Sequence, residues 1–404
     1  MLLRFKQASA DQVKKVWAVL SEASSAFVRN NDLTAASSLA FSAMLALIPT
    51  LFLITYVLSM AIGSSAQALA RTQEMMTKLL PAYSQDIVRE VRFLASHKGT
   101  IGLLNIVVLF WSMTPFVADM RLILGTIFRK KPDRPFLLEK LFDVAVSMVF
   151  LIGLSAVAVA GVTLRYLEKA SALHLLPSYV QDIAPLFFVT IVVFLSYYTF
   201  APRMRIRYLI AGALAASLIW FAMRPVFHLF LTFNPEYGYA FGSFKSLFVV
   251  IIWIYASLVI FLIGAELAES MNRKETVFIK RLMEGKRNVP TTVFEKYVAR
   301  FERGSVIFNE GDVGGEMFSV LTGRVGIYKN DMMITEVSAG KCFGELSFLL
   351  AAPHVAKAIT LDDVELVTIN SENINNLMNE FPWFVVEMLK EMAVRLRETN
   401  KLID

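Results

Sequence analysis

A chain of 404 residues, 56% of them hydrophobic, is too apolar to be an ordinary water-soluble protein of its size. Its one cysteine, Cys342, excludes an internal disulfide. The formal charge of +6 is modest, so the placement of basic residues says more than their number.

Residues 1–34 read as a cytosolic or interfacial helix. Val13, Val16, Trp17 and Leu20 share one helical face, and Lys14 and Lys15 lie off it. That pattern suits a helix on the inner membrane surface or one packed in the cytosol. Asp32 is placed to cap the first span. No cleaved signal sequence is expected, because the first apolar run starts only near Ala35.

Six apolar runs follow, and residues 35–271 read as an α-helical polytopic domain of six transmembrane helices. The first covers about 35–62, with Ser38, Ser42 and Ala46 at the four-residue spacing that admits a close helix neighbour. Pro49 is expected to kink or break it. Residues 63–100 read as two short amphipathic helices over the outer face. Further spans are expected near 100–128, 141–164, 183–201 and 209–231. The last, 246–270, is about 25 residues long, so roughly 37 Å of helix crosses a hydrocarbon layer of about 30 Å. The aromatic, Gly-rich loop 237–244 reads as a turn, with a hinge or gate as the alternative.

Basic residues cluster at 129–134, 203–207 and 273–287, whereas loops 165–182 and 232–245 hold few. The positive-inside rule then puts both termini in the cytoplasm of a bacterial inner membrane. The long 63–100 loop, with Arg71, Lys78, Arg89, Arg92 and Lys98, argues weakly against this.

Residues 272–290 read as a basic linker and 291–404 as a soluble domain. Short alternating strands punctuated by glycine (GSVIFNEGD, EMFSVLTGRVGIY, MITEVSAGKCFGE, VAKAITLDDVELVTI) predict a β-barrel or jelly roll with flanking helices. Val385, Leu389, Met392 and Leu396 form a helical seam for the barrel or for a dimer.

Ionisable residues inside spans are costly and usually paired or functional. Asp119 and Glu266, with Arg121 as partner, are a candidate site near the inner end of the second and sixth spans. A structural ion pair, or snorkelling to the interface, is the plainer alternative. Arg224 and His228 share one face of the fifth span, suited to an anionic headgroup or substrate, or to snorkelling.

Two resemblances rest on these residues. Gly304, Phe308, Gly311, Asp312, Gly323 and the cassette FGELSFLLAAPHVAKA, residues 343–358, resemble the cyclic-nucleotide-binding domain of catabolite activators and cyclic-nucleotide-dependent kinases. The resemblance implies a cradle made by Phe343, Gly344, Glu345 and Leu346, with Glu345 on the ribose hydroxyl and cAMP or cGMP as ligand. An arginine nine residues after that glutamate would clamp the phosphate. Here the position is His354, a neutral imidazole, and the nearby Lys357 offers a point charge instead of a fork. No cofactor is therefore assigned, and a docking module is the alternative.

The membrane part, about 26–283, resembles the YihY/BrkB family of bacterial inner-membrane proteins. DLTAASSLAFSAMLALIPT, FWSMTPFVADMR, YYTFAPRMRIRYLIAGALAASLIW and YGYAFGSFKSLFVVIIWIYASLVIFLIGAEL carry the likeness. Members of that family have been linked to ribonuclease activity, virulence and envelope or lipid transport.

The function expected is a transporter or lipid- or envelope-handling protein regulated by the cytosolic domain. The alternative is a membrane-anchored sensor or scaffold whose C-terminal domain mediates assembly. A ribonuclease ranks below both, because His97, His174, His228 and His354 are scattered and no nuclease or metal spacing appears. The chain is not expected to be an enzyme or to hold a metal. Expected partners are the lipid bilayer, further copies of the chain as a homodimer or higher homo-oligomer, and a cytosolic protein at 291–404. Nucleic acid is not among them, because no helix-turn-helix follows the barrel.

Overall fold

A computed structural model describes residues 2–61, 100–130, 135–169, 178–201, 204–233, 245–285 and 289–370, with 374, 385–386, 388–390 and 392–394. The chain divides into two compact units, Ala23–Asn272 and Met1–Glu22 joined with Arg273–Asp404. Of the 63–100 segment all but Thr100 lies outside the described residues, His97 included, as do His174 and the 237–244 loop.

In the first unit, α1 (Leu2–Arg29) supplies its last turns and six long helices follow among the described residues. They are α2 (Asp32–Ala61), α3 (Thr100–Ile127), α4 (Phe136–Lys169), α5 (Ser178–Phe200), α6 (Ile206–Phe233) and α7 (Lys245–Asn272). Asn31 takes φ 55° in the α1–α2 turn and its carbonyl accepts from Thr34 and Ala35. Asparagine tolerates that left-handed backbone. Asp32 then begins α2, where a negative charge suits the helix dipole.

Of the two outcomes expected at Pro49, a kink or a break, the break does not occur: α2 runs through it. The neighbouring Thr50 hydroxyl donates to the Ala46 carbonyl at 2.6 Å, one of the local means by which apolar helices accommodate proline. Pro115, Pro185 and Pro225 also sit inside helices.

α2 packs on α3, α4 and α7, and α6 packs on α5 and α7. Leu39, Val117, Leu124, Tyr197, Leu209 and Leu262 form the centre. Polarity is inverted relative to a soluble bundle. Asp143, Ser147, Ser217, Glu266 and Ser270 are buried, whereas Phe41, Leu122, Val149, Ile191, Leu218 and Val226 are exposed. Apolar outer faces with polar groups inside are what a hydrocarbon solvent selects. Among the described residues, Ile206–Phe233 and Phe248–Asn272 are long and apolar enough to cross a membrane. Asp32–Leu47 and Pro185–Phe200 are shorter apolar helices.

In the second unit, α8 (Lys274–Met283) and α9 (Thr291–Tyr297) lead into eight strands. β1 (Val298–Phe301), β8 (Val364–Asn370), β3 (Glu316–Thr322) and β6 (Cys342–Phe343) make one antiparallel sheet in that order. β2 (Val306–Phe308), β7 (Lys357–Thr360), β4 (Arg324–Lys329) and β5 (Met332–Ser338) make the other. Phe318, Val320, Val325, Phe343 and Leu366 fill the core between them. Asn330 and Asp331, both at positive φ, close the β4–β5 hairpin. Gly323 is required at φ 83°, because a Cβ there would meet the Asp363 carbonyl at 2.5 Å.

The stretch that reads as a basic linker contains α8, whose Val277, Phe278, Ile279 and Leu282 are buried. α8 packs on β3 and β8. Ala18 of α1 joins the same cluster, with Met317, Val367 and Met388. Lys280 pairs with Glu22 at 3.0 Å, and Arg281 donates to the Ser21 hydroxyl. The N-terminal helix up to Glu22 is thus part of this second unit. Its other face, with Val13, Val16, Trp17 and Leu20, is exposed. Of the C-terminal seam, Met392 packs against the core while Leu389 is exposed, and Leu396 lies outside the described residues.

Candidate functional site

In the soluble unit the cradle begins where β6 ends. Gly344 takes φ 78° and caps α10 (Glu345–Leu350), which ends at Ala351 with φ 48°. Glu345 and Ser347 are buried on this helix, and Ser347 Oγ donates to the Pro353 carbonyl. A cavity of about 260 Å³ opens beside it. Phe343, Gly344, Glu345, Leu346 and His354 all line that cavity, so the structure gathers five of the six cassette residues singled out in the sequence. Lys357 does not join them. It lies on β7 opposite Tyr328 of β4, outside the cavity lining. Among the described lining residues the cation is Lys329, at the end of β4. No motif pointed to Lys329, because it reaches the cavity through strand pairing rather than through the cassette.

His354 is held firmly. Its N–H donates to the Asp312 carbonyl and its own carbonyl accepts from Gly311, both at 2.8 Å. Its imidazole stacks on Phe308, with ring centroids 3.7 Å apart. Phe308 in turn packs near Phe318 and Phe343. Burial pushes the imidazole below its ordinary pKa, and the Asp312 charge opposes that only in part. At neutral pH His354 is therefore uncharged and offers no fixed counter-charge to a phosphate.

In the helical unit the predicted Asp119–Glu266–Arg121 constellation is not brought together. Asp119 and Arg121 are two residues apart on α3, hence about 200° apart around it. Asp119 accepts from Ser42 at 2.5 Å and from Ser38 at 3.4 Å, both on α2. Arg121 forks onto Asp143 of α4, with Nε to Oδ1 at 2.7 Å and Nη2 to Oδ2 at 3.2 Å. Its Nη1 meets Glu139 at 3.2 Å. Glu266 accepts from Asn30 at 2.5 Å. Each therefore has its own partner. Asp143 and Glu139 escaped the sequence reading, although two acids four residues apart at the start of an apolar run are a legible signal.

Arg224 and His228 lie exposed on α6. The Arg224 guanidinium sits over the Trp220 ring, 5.2 Å from its centroid. Trp220 donates Nε1–H to Ser257 of α7 at 2.9 Å. No group of His, Cys, Asp and Glu able to hold a metal occurs among the described residues.

A helical unit of inverted polarity, joined to a two-sheet domain with a cassette-lined cavity, defines a membrane protein carrying a C-terminal cyclic-nucleotide-binding domain. The chain belongs to the virulence factor BrkB family, whose model matches residues 23–288. The cyclic nucleotide-binding domain model matches residues 298–381. A UPF0761 membrane protein of Pseudoalteromonas translucida is 25% identical over 238 residues, covering 57% of this chain and 78% of that one. A CRP-like cAMP-activated global transcriptional regulator of Mycobacterium tuberculosis is 28% identical over 105 residues. That match covers 25% of this chain and 47% of the regulator, so the chain spans about half the length of that relative. Among solved structures, the Thermus thermophilus catabolite activator protein is 26% identical over 28% of this chain and 56% of its own, with a TM-score of 0.25.

Proposed function

We propose that the chain is a multi-pass bacterial inner-membrane protein that transports or handles a solute or envelope lipid under the control of its cytosolic domain. In this reading α2 to α7 are six spans and both termini are cytoplasmic. The observation that carries it is the presence of buried acids inside an apolar-faced bundle, with Asp143 at 0% and Glu266 at 1% exposure. Such groups are expensive in hydrocarbon and typically line a path or fix a moving part. The experiment is reconstitution of the full chain in lipid vesicles, with lipid scrambling and solute flux followed with and without cAMP or cGMP. Flux above empty vesicles, reduced by Asp119→Asn, is expected. Wild-type vesicles indistinguishable from empty ones under every nucleotide would sink the reading.

A second reading is favoured by His354. With a neutral stacked ring at the clamp position, the domain serves as a docking or assembly module, for another copy of the chain or for a cytosolic protein. Titration of the full chain with both nucleotides decides between regulation by ligand and assembly. Neither reading makes the chain an enzyme or a nucleic-acid binder, and the ribonuclease suggested by family names ranks behind both.

A further inference from the structure

The far end of α6 carries a cation that the fold seats but does not neutralise. Arg224 lies about 27 Å along α6 from Ile206. That places it at the opposite edge of a roughly 30 Å hydrocarbon layer from the basic turn 203–207. Its guanidinium lies over the rings of Trp220 and Phe221, 5.2 and 5.4 Å from their centroids. The platform is itself fixed. Trp220 donates Nε1–H to Ser257, Ser257 donates to the Trp253 carbonyl at 2.7 Å, and Trp253 packs against Trp220 and Phe227.

Stacking uses the flat face of a guanidinium and leaves the five N–H donors around its edge. Arg224 is exposed, and among the described residues no hydrogen bond or ion pair engages those donors. α6 carries no acid. The acids of α7 lie toward its other end, Glu266 about 20 Å of helix beyond Trp253. A charge at membrane depth is costly unless it is paired, and an exposed one there faces lipid.

We propose that Arg224, seated on Trp220 and Phe221, binds the phosphate group of a membrane phospholipid at the membrane face opposite the basic turns. A phosphodiester accepts two parallel N–H bonds from the guanidinium edge. His228, exposed one turn further along the same face, adds a ring N–H. Leu218, Val226 and Leu229 are exposed beside them and suit the acyl chains. A free phosphate would leave those apolar side chains uncovered, so the lipid is the occupant. The site rests on α6 and α7 crossing the membrane and not on transport. Lipid retained by a chain that moves nothing leaves it standing, and flux without retained lipid overturns it alone.

The test is native mass spectrometry of the full chain, delipidated in detergent and titrated with phosphatidylglycerol and phosphatidylethanolamine. Wild type should hold its tightest phospholipid about tenfold or more strongly than Arg224→Gln, the worth of a charge-assisted fork. Arg224→Lys, with a point charge, should fall between. Diacylglycerol, which lacks the phosphate, should bind wild type and Arg224→Gln alike. Without lipid the variants should melt with wild type, and added phospholipid should raise the melting temperature of wild type more. Should the variants not fold, a phospholipid with a photoreactive headgroup must label the wild-type chain around residues 220–228. Equal retention by wild type and a folded variant, or headgroup labelling only elsewhere, overturns the proposal. Displacement of the phospholipid by an equal concentration of glycerol 3-phosphate would make this a site for soluble anions and also overturn it.

Discussion

The imidazole of His354 lies flat on the ring of Phe308, with planes 8° apart and centroids at 3.7 Å. The pair closes one wall of the cassette cavity, at the position where the resemblance places an arginine fork. The wall thus offers a flat apolar surface in place of a charge. Lys329, across the cavity on β4, supplies a point charge without a fork's geometry.

Restoring the fork should restore affinity. His354→Arg in the full chain is expected to bind cAMP or cGMP about tenfold to a hundredfold more tightly than wild type, since a charge-assisted bidentate pair is worth roughly 1.5–3 kcal/mol. Isothermal titration of both proteins measures this. Equal affinities would mean that Lys329 or the α10 backbone already holds the phosphate, or that Phe308 keeps the new guanidinium out.

The same residue predicts a pH dependence. Burial holds the folded His354 below its ordinary value of 6.5. Above about 6.5 the imidazole is neutral in both states, and its contribution to stability is fully present. As pH falls below that value the unfolded chain takes up the proton first, so the domain loses stability until the folded group protonates too. Amide hydrogen exchange in β2, β6 and β7 should accelerate over that window in wild type. His354→Phe, which keeps a ring on Phe308 but cannot titrate, should show a flatter profile. Identical profiles would remove His354 from the acid response.

The Arg121 network should behave as a unit. Asp143 is fully buried beneath the guanidinium, so removing one member leaves a stranded charge. Asp143→Asn or Arg121→Leu is expected to cost about 3–5 kcal/mol. The double replacement Arg121→Leu with Asp143→Leu should cost clearly less than the sum of the two single replacements. Arg224→Ala, at an exposed position on α6, is the near-neutral control. Melting of the detergent-solubilised chain reads all of these. An Asp143→Asn protein as stable as wild type would show that the fork adds nothing to the fold.

What was legible in the sequence follows the range of the forces involved. Apolar runs and glycine-punctuated alternation are local signals, so the helical part and the two-sheet domain could be read directly. The cassette is contiguous, so Phe343 to Leu346 and His354 were found together. Pairing between helices is not local. Asp119 and Arg121 look like one site in a string of letters, but the helix turns them to opposite sides, toward α2 and α4. Lys329 enters the cavity only because β4 pairs with β5 and β7. α8 was hidden by its charges, although Phe278, Ile279 and Leu282 in KETVFIKRLM already share a helical face. The attachment of α1 to that face depends on residues some 260 positions apart, as for Ser21 and Arg281.

α6 and α7 approach each other closely at Gly212 and Gly264. A Cβ at Gly212 on α6 would lie 2.5 Å from the Gly264 carbonyl oxygen and 2.6 Å from Ala268 Cβ on α7. A Cβ at Gly264 would meet Ala216 Cβ at 2.6 Å and the Tyr197 hydroxyl at 2.6 Å. Those neighbours are mostly backbone or short side chains that cannot swing away, so α6 and α7 would have to separate. Gly212→Ala and Gly264→Ala should each destabilise by about 1–3 kcal/mol despite alanine's better helix propensity. Gly125→Ala on α3, where a new Cβ meets nothing within 4 Å, should be neutral or slightly stabilising. Thermal melting of the three variants separates packing from propensity. If Gly212→Ala melts with wild type, the two helices can part without loss, and their contact is a movable joint rather than a fixed seam.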